Sequence, residues 1–458
     1  MKSFILLLSF IPLLAFTQPD YTILTNNGAH PGNLFFQVGG PPSKPVNIVD
    51  SSGILIYSED FGMKGWAWKV NSNNKITYFD RLSKGWFVMD SLENVVDTVY
   101  CQNGYIADNH DFIALENGNY ILFAYDQRDY ATDTISPDGT PEETVIGLVI
   151  QELDSEHNVV FEWLSWDHFY MSNYSQINYN NTYIDFLHCN AIDIDEDGHL
   201  LISNRTISEI TKIHRTTGDV IWRFGGDQSD FTFTNDYPFS NQHCIKSLGN
   251  NHYILYDNGN LSDVYTGGIR RSRGVEYALN LSDYTATKVW DFVHPDSLFT
   301  PSIGSIQRLD NGNTLINFGN NQLADRGSII TEVNSNNEVV FEMEFDFGQN
   351  IYCANKTNWN FYNEPVAHMN ESNLEEAFFS LYPNPSEEDV FIKLIETHKG
   401  SLKVEIINSR GDLVLEKEIT NSSIQANIQI THGLPTGNYM LKISSDQRTA
   451  FKKLSVIK

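Results

Sequence analysis

The sequence predicts an all-β chain: a six-bladed β-propeller followed by a small C-terminal β-sandwich. Three observations point there. Sustained helical periodicity is absent. A hairpin recurs as "HDFIALENGNYILFAYD" at 110–126, "HCNAIDIDEDGHLLISNR" at 188–205, "HCIKSLGNNHYILYDN" at 243–258 and "GSIQRLDNGNTLINFGN" at 304–320. Its Asx-Gly turns match the twist of paired strands. Between the hairpins comes a second recurring strand, "VVFEWLSW", "DVIWRFGG", "TKVWDFVH" and "NEVVFEMEF", with aromatics near Trp163, Trp222, Trp290 and Phe341. Successive units fall roughly 50 to 80 residues apart, the size of a propeller blade with its loops. "GWAWKVNSNNKITYFD" and "KGWFVMDSLENVVDTV" read as earlier, degenerate versions. A two-sheet sandwich is the competing all-β arrangement.

Taken in order, residues 1–18 read as an export signal. Lys2 precedes an apolar run from Phe4 to Phe16 that is too short to span a bilayer comfortably and contains Pro12. No cysteine follows the run, so no lipid-attachment site is expected. Residues 19–365 hold the propeller, 366–379 an acidic, polar linker, and 380–458 alternating strands with glycine turns that form the sandwich. No later stretch reaches the length of a membrane helix, so the mature chain carries no transmembrane segment.

Of 458 residues, 41% are hydrophobic and 13% aromatic, a globular composition. The net charge is −28, from 58 acidic and 30 basic residues. That excludes a nucleic-acid reader, which needs a basic face. An anionic substrate would need a few local cations to overcome the field. No nucleotide-phosphate loop and no Gly-x-Ser-x-Gly elbow occurs. Cys101, Cys189, Cys244 and Cys353 are widely spaced and match no zinc pattern; they leave three full pairings or free thiols open.

The hairpins carry the chemistry. His110 lies seven residues before Asn117, His243 seven before Asn250, and His188 nine before Asp197. A difference of two preserves strand face, so the three rings share a side. The fourth copy has Gly304 at that position. With Asp197-Gly198 as a two-residue turn, Glu196 faces His199 and Asn190 faces Arg205. Arg205 is then a diagonal neighbour of His188. Near the axis of a propeller such residues converge. Three imidazoles and a guanidinium suit a tetrahedral oxyanion, with arginine as a planar fork and histidine as nucleophile or proton carrier. His157, His168, His199, His214, His252, His294, His368, His398 and His432 lack this placement.

These residues also carry a resemblance. "NHDF", "HCNAIDIDEDGHLLISNR" with "GDVIWRFGG", "NQHCIKSLGNNHYILYDNG", and "RGVEYAL", "VWDF" and "SIQRLDNGNTLINFG" resemble bacterial arylsulfotransferases that do not use phosphoadenosine phosphosulfate. The resemblance implies a six-bladed propeller and ping-pong transfer of a sulfuryl group from a phenolic sulfate ester to a phenol, with no cofactor and no metal. It implies His243 as the nucleophile that becomes sulfohistidine. His110, His188 and Arg205 would hold the sulfuryl oxygens and handle the phenolic proton, with Asn190 and Gln242 binding substrate beside them. Cys244 departs from the acidic or small polar residue that family members often carry after the nucleophile. A substantial N-terminal domain, present in some relatives, is not seen.

Residues 380–458, through "LYPNPS", "NSRGDLV", "LPTGNYMLKI" and a lysine-rich end, resemble the C-terminal sorting domain of type IX secretion cargo. This implies the type IX machinery as a partner and a secreted or surface-attached product. Arg410-Gly411-Asp412 reads as a hairpin turn. "DIDEDG" at 193–198 matches the start of a calcium loop, but the twelfth position is Asn204 and strands flank it. Two alternative functions stand beside transfer. One is a metal-dependent propeller hydrolase with His110, His188 and His243 as ligands, which Arg205 opposes by repelling a cation. The other is a non-catalytic binding propeller.

Overall fold

The computed structural model describes residues 21–359 and 379–456, apart from 40–44, 92, 322–325, 383, 385, 387, 395–397, 409–412, 425–427 and 446–448. The predicted export signal, residues 366–378 of the predicted linker, His368 and Arg410-Gly411-Asp412 lie outside the described residues. The chain divides into two compact units, 1–361 and 362–458.

In the first unit the described strands form six antiparallel sheets. The first joins both ends of the unit: Asn350–Thr357 pairs with Asn33–Gly39, which continues to Pro45–Val49 and Leu55–Asp60. The second runs Trp66–Val70, Ile76–Asp80, Gly85–Met89 and Val95–Val99. The third runs Ala107–Ala114, Tyr120–Tyr130, Glu143–Leu153 and Val159–Leu164, with Tyr183–Asp185 added in parallel. The fourth runs Cys189–Ile194, Leu200–Asn204, Glu209–Ile213 and Val220–Gly225. The fifth runs His243–Gly249, His252–Asp257, Arg273–Asn280 and Thr285–Val293, with Thr232–Phe233 at its edge. The sixth runs Ser305–Arg308, Thr314–Phe318, Ile329–Val333 and Val339–Phe345, edged by Tyr21–Asn26.

The four repeated hairpins are therefore the first two strands of the third to sixth sheets, and the second recurring motif is the fourth strand of each. The two degenerate segments form the second sheet together. The first strand of each sheet touches that of the next, and those of the first and sixth sheets touch as well. The arrangement is propeller-like. Middle strands such as Leu200–Asn204 and Glu209–Ile213 are buried along their whole length, and the charged Glu209 and Lys212 of the latter are paired with Arg223 and Asp195. Apolar layers fill the space between successive sheets. Trp222, Phe224, Phe239, Tyr253 and Tyr277 lie between the fourth and fifth. Ile254, Tyr256, Phe292, Ile316 and Phe318 lie between the fifth and sixth.

The second unit holds two sheets. One is Phe379–Tyr382, Asp389–Leu394 and Ile428–Thr431; the other is Leu413–Ile424, His398–Ile407, Gly437–Ser444 and Thr449–Val456. Both contribute to one core, including Val390, Ile392, Ile430, Val404, Ile406, Leu441 and Leu454.

A buried ion pair ties the first and sixth sheets. Lys356 Nζ lies 2.8 Å from Glu332 Oε2, with both side chains essentially inaccessible. Glu332 Oε1 accepts from the His30 amide at 2.7 Å and from Asn313 Nδ2 at 2.6 Å. Removing one partner leaves a buried charge uncompensated, so Lys356→Met should destabilise the chain by about 3–5 kcal/mol. Adding Glu332→Gln to that variant should recover much of the loss. Denaturant unfolding of both variants checks this.

Candidate active site

The starts of the inner strands and the ends of the second strands lie at one end of their sheets. Arg205 follows the second strand of the fourth sheet, Asn258 that of the fifth and Arg81 that of the second. His243 opens the inner strand of the fifth sheet, His188 immediately precedes that of the fourth, and His110 lies within that of the third.

The structure brings the three histidines and Arg205 together, by a different register from the one expected. Ile194 faces Leu200, and Asp195 N donates to His199 O at 2.8 Å, so the hairpin closes one residue away from the predicted pairing. An irregularity between Cys189 and Ala191 leaves Asn190 outside the ladder instead of opposite Arg205. Arg205 N donates directly to His188 O at 3.2 Å, making the two adjacent and not diagonal. His188 itself has φ +46°, and Asn241 and Cys244 on either side of the Gln242–His243 pair have +53° and +57°. Such left-handed conformations in non-glycine residues store local strain.

Each imidazole is oriented through Nδ1. His110 Nδ1 lies 2.6 Å from Asp108 Oδ1, and His188 Nδ1 lies 2.5 Å from Asp185 Oδ2. The two rings are 4.8 Å apart, centroid to centroid, nearly edge to face. His243 is 3% exposed, and its Nδ1 lies 2.7 Å from Asn258 Oδ1. Asn258 Nδ2 donates to Thr300 O at 2.7 Å and to Ile303 O at 2.9 Å. Those two carbonyls fix the amide's orientation, so its oxygen faces the ring. An oxygen acceptor requires a proton on His243 Nδ1, which leaves the Nε2 lone pair free.

Burial, then the Arg205 charge and the neighbouring His188 and His110, hold His243 well below the ordinary imidazole pKa of 6.5. Burial works against a charged His110, but the Asp108 carboxylate outweighs it and raises that ring above 6.5. Burial also lowers the Arg205 pKa, opposed by Asp185, without approaching a range where a guanidinium loses its proton. Arg205 Nη2 donates to Pro301 O at 3.0 Å. Neither Arg205 nor Arg81 has a carboxylate ion-pair partner among the described residues. In a chain of net charge −28 these are cations left available to an anion.

Asn190 and His243 line a cavity of about 570 Å³ with His110, Tyr352, Lys69 and Lys246. Asn190 Nδ2 donates to Gln242 O at 2.8 Å, while its Oδ1 is buried without a partner among the described residues. Gln242, expected beside the substrate, has its Oε1 buried without a partner among the described residues. Its Nε2 reaches Ser203 Oγ, Asn204 O and Glu209 O at 3.2 to 3.3 Å, tying the fifth sheet to the fourth, and its side chain does not line the cavity. Gly304, with φ +118°, is glycine because a Cβ there would sit 2.4 Å from the Tyr256 ring.

Sequence reasoning missed Asp108, Asp185, Asn258, Tyr352, Trp66 and Arg81. The first two had a signal, since each histidine follows an aspartate by two or three residues. Asn258 and Arg81 had one too: aligning second-strand ends puts both at the Arg205 position. Tyr352 and Trp66 form an aromatic wall, with ring centroids 4.6 Å apart. Tyr352 lies 6.0 Å from the His110 ring, and its hydroxyl donates to His110 O at 3.0 Å.

The calcium alternative meets a fixed cation. Lys212 Nζ lies 2.6 Å from both Asp195 Oδ2 and Asp197 Oδ2. Among the described residues no three His, Cys, Asp or Glu side chains are grouped as metal ligands. All four cysteines are free.

The sheets and the cluster define a propeller-like β protein with an imidazole-rich, guanidinium-bearing cluster at one end of its sheets. The chain belongs to the arylsulfotransferase family, whose model, "Arylsulfotransferase (ASST)", matches residues 25–353. The "Secretion system C-terminal sorting domain" matches residues 380–458, so the protein is secreted or attached to the cell surface through type IX secretion. No helix among the described residues is long and apolar enough to cross a membrane. No curated protein matches the sequence. Among solved structures, a protein of unknown function from Bacteroides caccae is 13% identical with a TM-score of 0.44, covering 71% of this chain and 98% of that one. Virginiamycin B lyase from Staphylococcus aureus is 10% identical with a TM-score of 0.32, covering 71% and 88%. PorZ, a surface component of the type IX secretion system of Porphyromonas gingivalis, is 12% identical with a TM-score of 0.31, covering 94% and 59%. These superpositions are loose, and no function passes from them to this chain.

The hydrogen-bond geometry makes a direct prediction for the free protein. Nitrogen NMR of selectively labelled histidine should find His243 as the Nδ1-protonated tautomer. Asn258→Ala should release it to a mixture; an unchanged tautomer in that variant would contradict the assignment.

Proposed function

We propose that the protein is an aryl-sulfate sulfotransferase that moves a sulfuryl group from a phenolic sulfate ester to a phenol through a sulfohistidine on His243. The observation that carries this is the Asn258 amide, whose two carbonyl-bound hydrogens leave its oxygen to hold His243 with Nε2 unprotonated. The reading takes the six sheets as blades of a closed six-bladed propeller. The succession of contacts between inner strands and the first sheet's use of both ends of the unit support it. It divides the chain into an export signal at 1–18, a catalytic propeller at 19–365, a linker at 366–379 and a sorting domain at 380–458.

In the first half-reaction His243 Nε2 attacks sulfur. The N–S bond forms as the S–O bond to the aryl group breaks, and the electron pair leaves on the phenolate oxygen. Protonated His110 gives that oxygen its proton, with Asp108 steadying the cation beforehand. Arg205 and His188 hold the sulfuryl oxygens as charge redistributes. Asn258 Oδ1 faces the Nδ1–H of the ring that has become cationic. In the second half-reaction a phenol binds against the wall of Tyr352 and Trp66. Neutral His110 takes the phenolic proton, the oxygen attacks sulfur, and the N–S bond breaks to restore His243. Asn190 Oδ1 is a further acceptor for the substrate, and Gln242 acts by positioning the His243 strand.

His243→Ala should abolish transfer from para-nitrophenyl sulfate to phenol while the far-ultraviolet dichroism of the fold persists. Mass spectrometry of the native chain treated with donor alone should find one sulfuryl group on His243. Arg205→Ala should lower kcat by roughly 100-fold or more, the size of losing one oxyanion donor. Full activity in either variant would contradict the role assigned.

The two shifted histidines set the pH dependence. His243 is depressed, so it stays neutral as pH falls through 6.5 and the acid limb of the rate profile should lie below that value. His110 is raised, so it stays protonated as pH rises through 6.5 and the alkaline limb of the donor half-reaction should lie above it. Asp108→Asn should move the alkaline limb down, as read from single-turnover rates against pH.

A further inference from the structure

The Arg81–Trp66 pair lies at the far end of the aromatic wall from His243, and Arg81 has no part in the steps above. The Arg81 guanidinium carbon sits 3.8 Å from the centre of the Trp66 ring, in a cation–π stack. Trp66 packs 4.6 Å from Tyr352, which in turn lies 6.0 Å from His110, and His110 lies 4.8 Å from His188. The series therefore leads from the sulfuryl-handling histidines, through edge contacts at 73° and 63° and a tilted stack at 31°, to a second guanidinium.

One feature distinguishes this end from ordinary packing. Arg81 Nε is buried and has no hydrogen-bond partner among the described residues, where no other buried arginine nitrogen is left so. Trp66 Nε1, on the ring beneath it, is also buried without a partner, as are the indole nitrogens of Trp68, Trp166 and Trp222. Buried N–H groups are almost always satisfied, so the arginine nitrogen calls for an acceptor. The other stacked arginines of the unit are committed. Arg223 on Phe169 pairs with Glu209, and Arg308 on Trp290 pairs with Glu276. Arg128 on Trp166 pairs with Asp126. Arg81 also feels Asp108 and Tyr352 electrostatically, as His110 feels Arg81, which places its charge within reach of the site.

We propose that Arg81 and Trp66 form a second subsite that binds a carboxylate carried on the aromatic ring of the phenol, so that the preferred aryl substrates are doubly functional: a hydroxyl or sulfate ester at one end and an oxyanion at the other. The planar guanidinium edge matches a carboxylate, and the indole N–H adds a neutral donor. The ring between the two ends packs beside Tyr352, which lines the cavity with His110. The proposal rests on the phenol-transfer reading for the identity of the ring, and it deepens that reading by naming the substrate class.

The test separates binding from turnover. Calorimetric titration of the full chain with para-hydroxybenzoate and with para-cresol needs no catalysis. The native protein should bind para-hydroxybenzoate at least about tenfold more tightly, the usual worth of a hydrogen bond to a charged group. In Arg81→Gln that ratio should fall to within about twofold, and in Trp66→Phe, which keeps a ring but loses the donor, it should fall part of the way. The same pair is then compared as acceptors from para-nitrophenyl sulfate by kcat/KM, where the ratios should follow the binding ratios. A native ratio near one, a ratio unchanged in Arg81→Gln, or an equal loss for both ligands would overturn the subsite. Selective binding without any transfer would instead overturn the transfer reading and leave the subsite standing.

Discussion

Inner strands that start at a common end of their sheets impose one constraint on this protein. Residues at the mouths of successive hairpins must share a small space. His243, His188 and His110 come from three consecutive sheets, and Arg205 and Asn258 from the ends of the strands paired with two of them. None of these positions needs a special loop. Each follows from an antiparallel hairpin whose inner strand packs against the next, so the site depends on the same side-by-side packing that builds the apolar layers between sheets.

Within that space the side chains are differentiated by what holds their Nδ1 atoms. A carboxylate behind His110 favours the charged ring, whereas a neutral amide behind buried His243 favours the uncharged one. The amide in turn is fixed by backbone carbonyls, and Asp257 beside it is held by Arg273 at 3.0 Å and by the amides of Ser240 and Gly259. One histidine is thus held toward its uncharged form and another toward its charged form in the same pocket. The surrounding charge of −28 makes the Arg205 and Arg81 guanidiniums, without carboxylate partners among the described residues, the more telling, because an acidic protein offers many carboxylates to pair them.

Much of this was legible in the repeats. The hairpin motif marked the inner two strands, the aromatic motif marked the outer one, and the common position of three histidines marked the site. Register was not legible. A turn that closes one residue early, and an irregularity at Asn190 that adds a second residue of shift, changed the partner of Arg205 from Asn190 to His188. Gln242 stands next to His243 in the chain, yet its side chain turns between sheets, because neighbours along a strand point to opposite faces. Tyr352 comes from a different sheet than His243, and no local pattern links it to the ring, whereas Asn258 lies across the same hairpin.

The sequence by itself determined the strand periodicity, the turns, the sorting segment and the set of titratable rings, since each of these is a property of residues close together along the chain. Only the tertiary structure decided which nitrogen of His243 is free and which arginine lies on the aromatic wall. Those are properties of groups brought within a few ångströms from distant positions, where burial magnifies every charge and every unmet hydrogen bond.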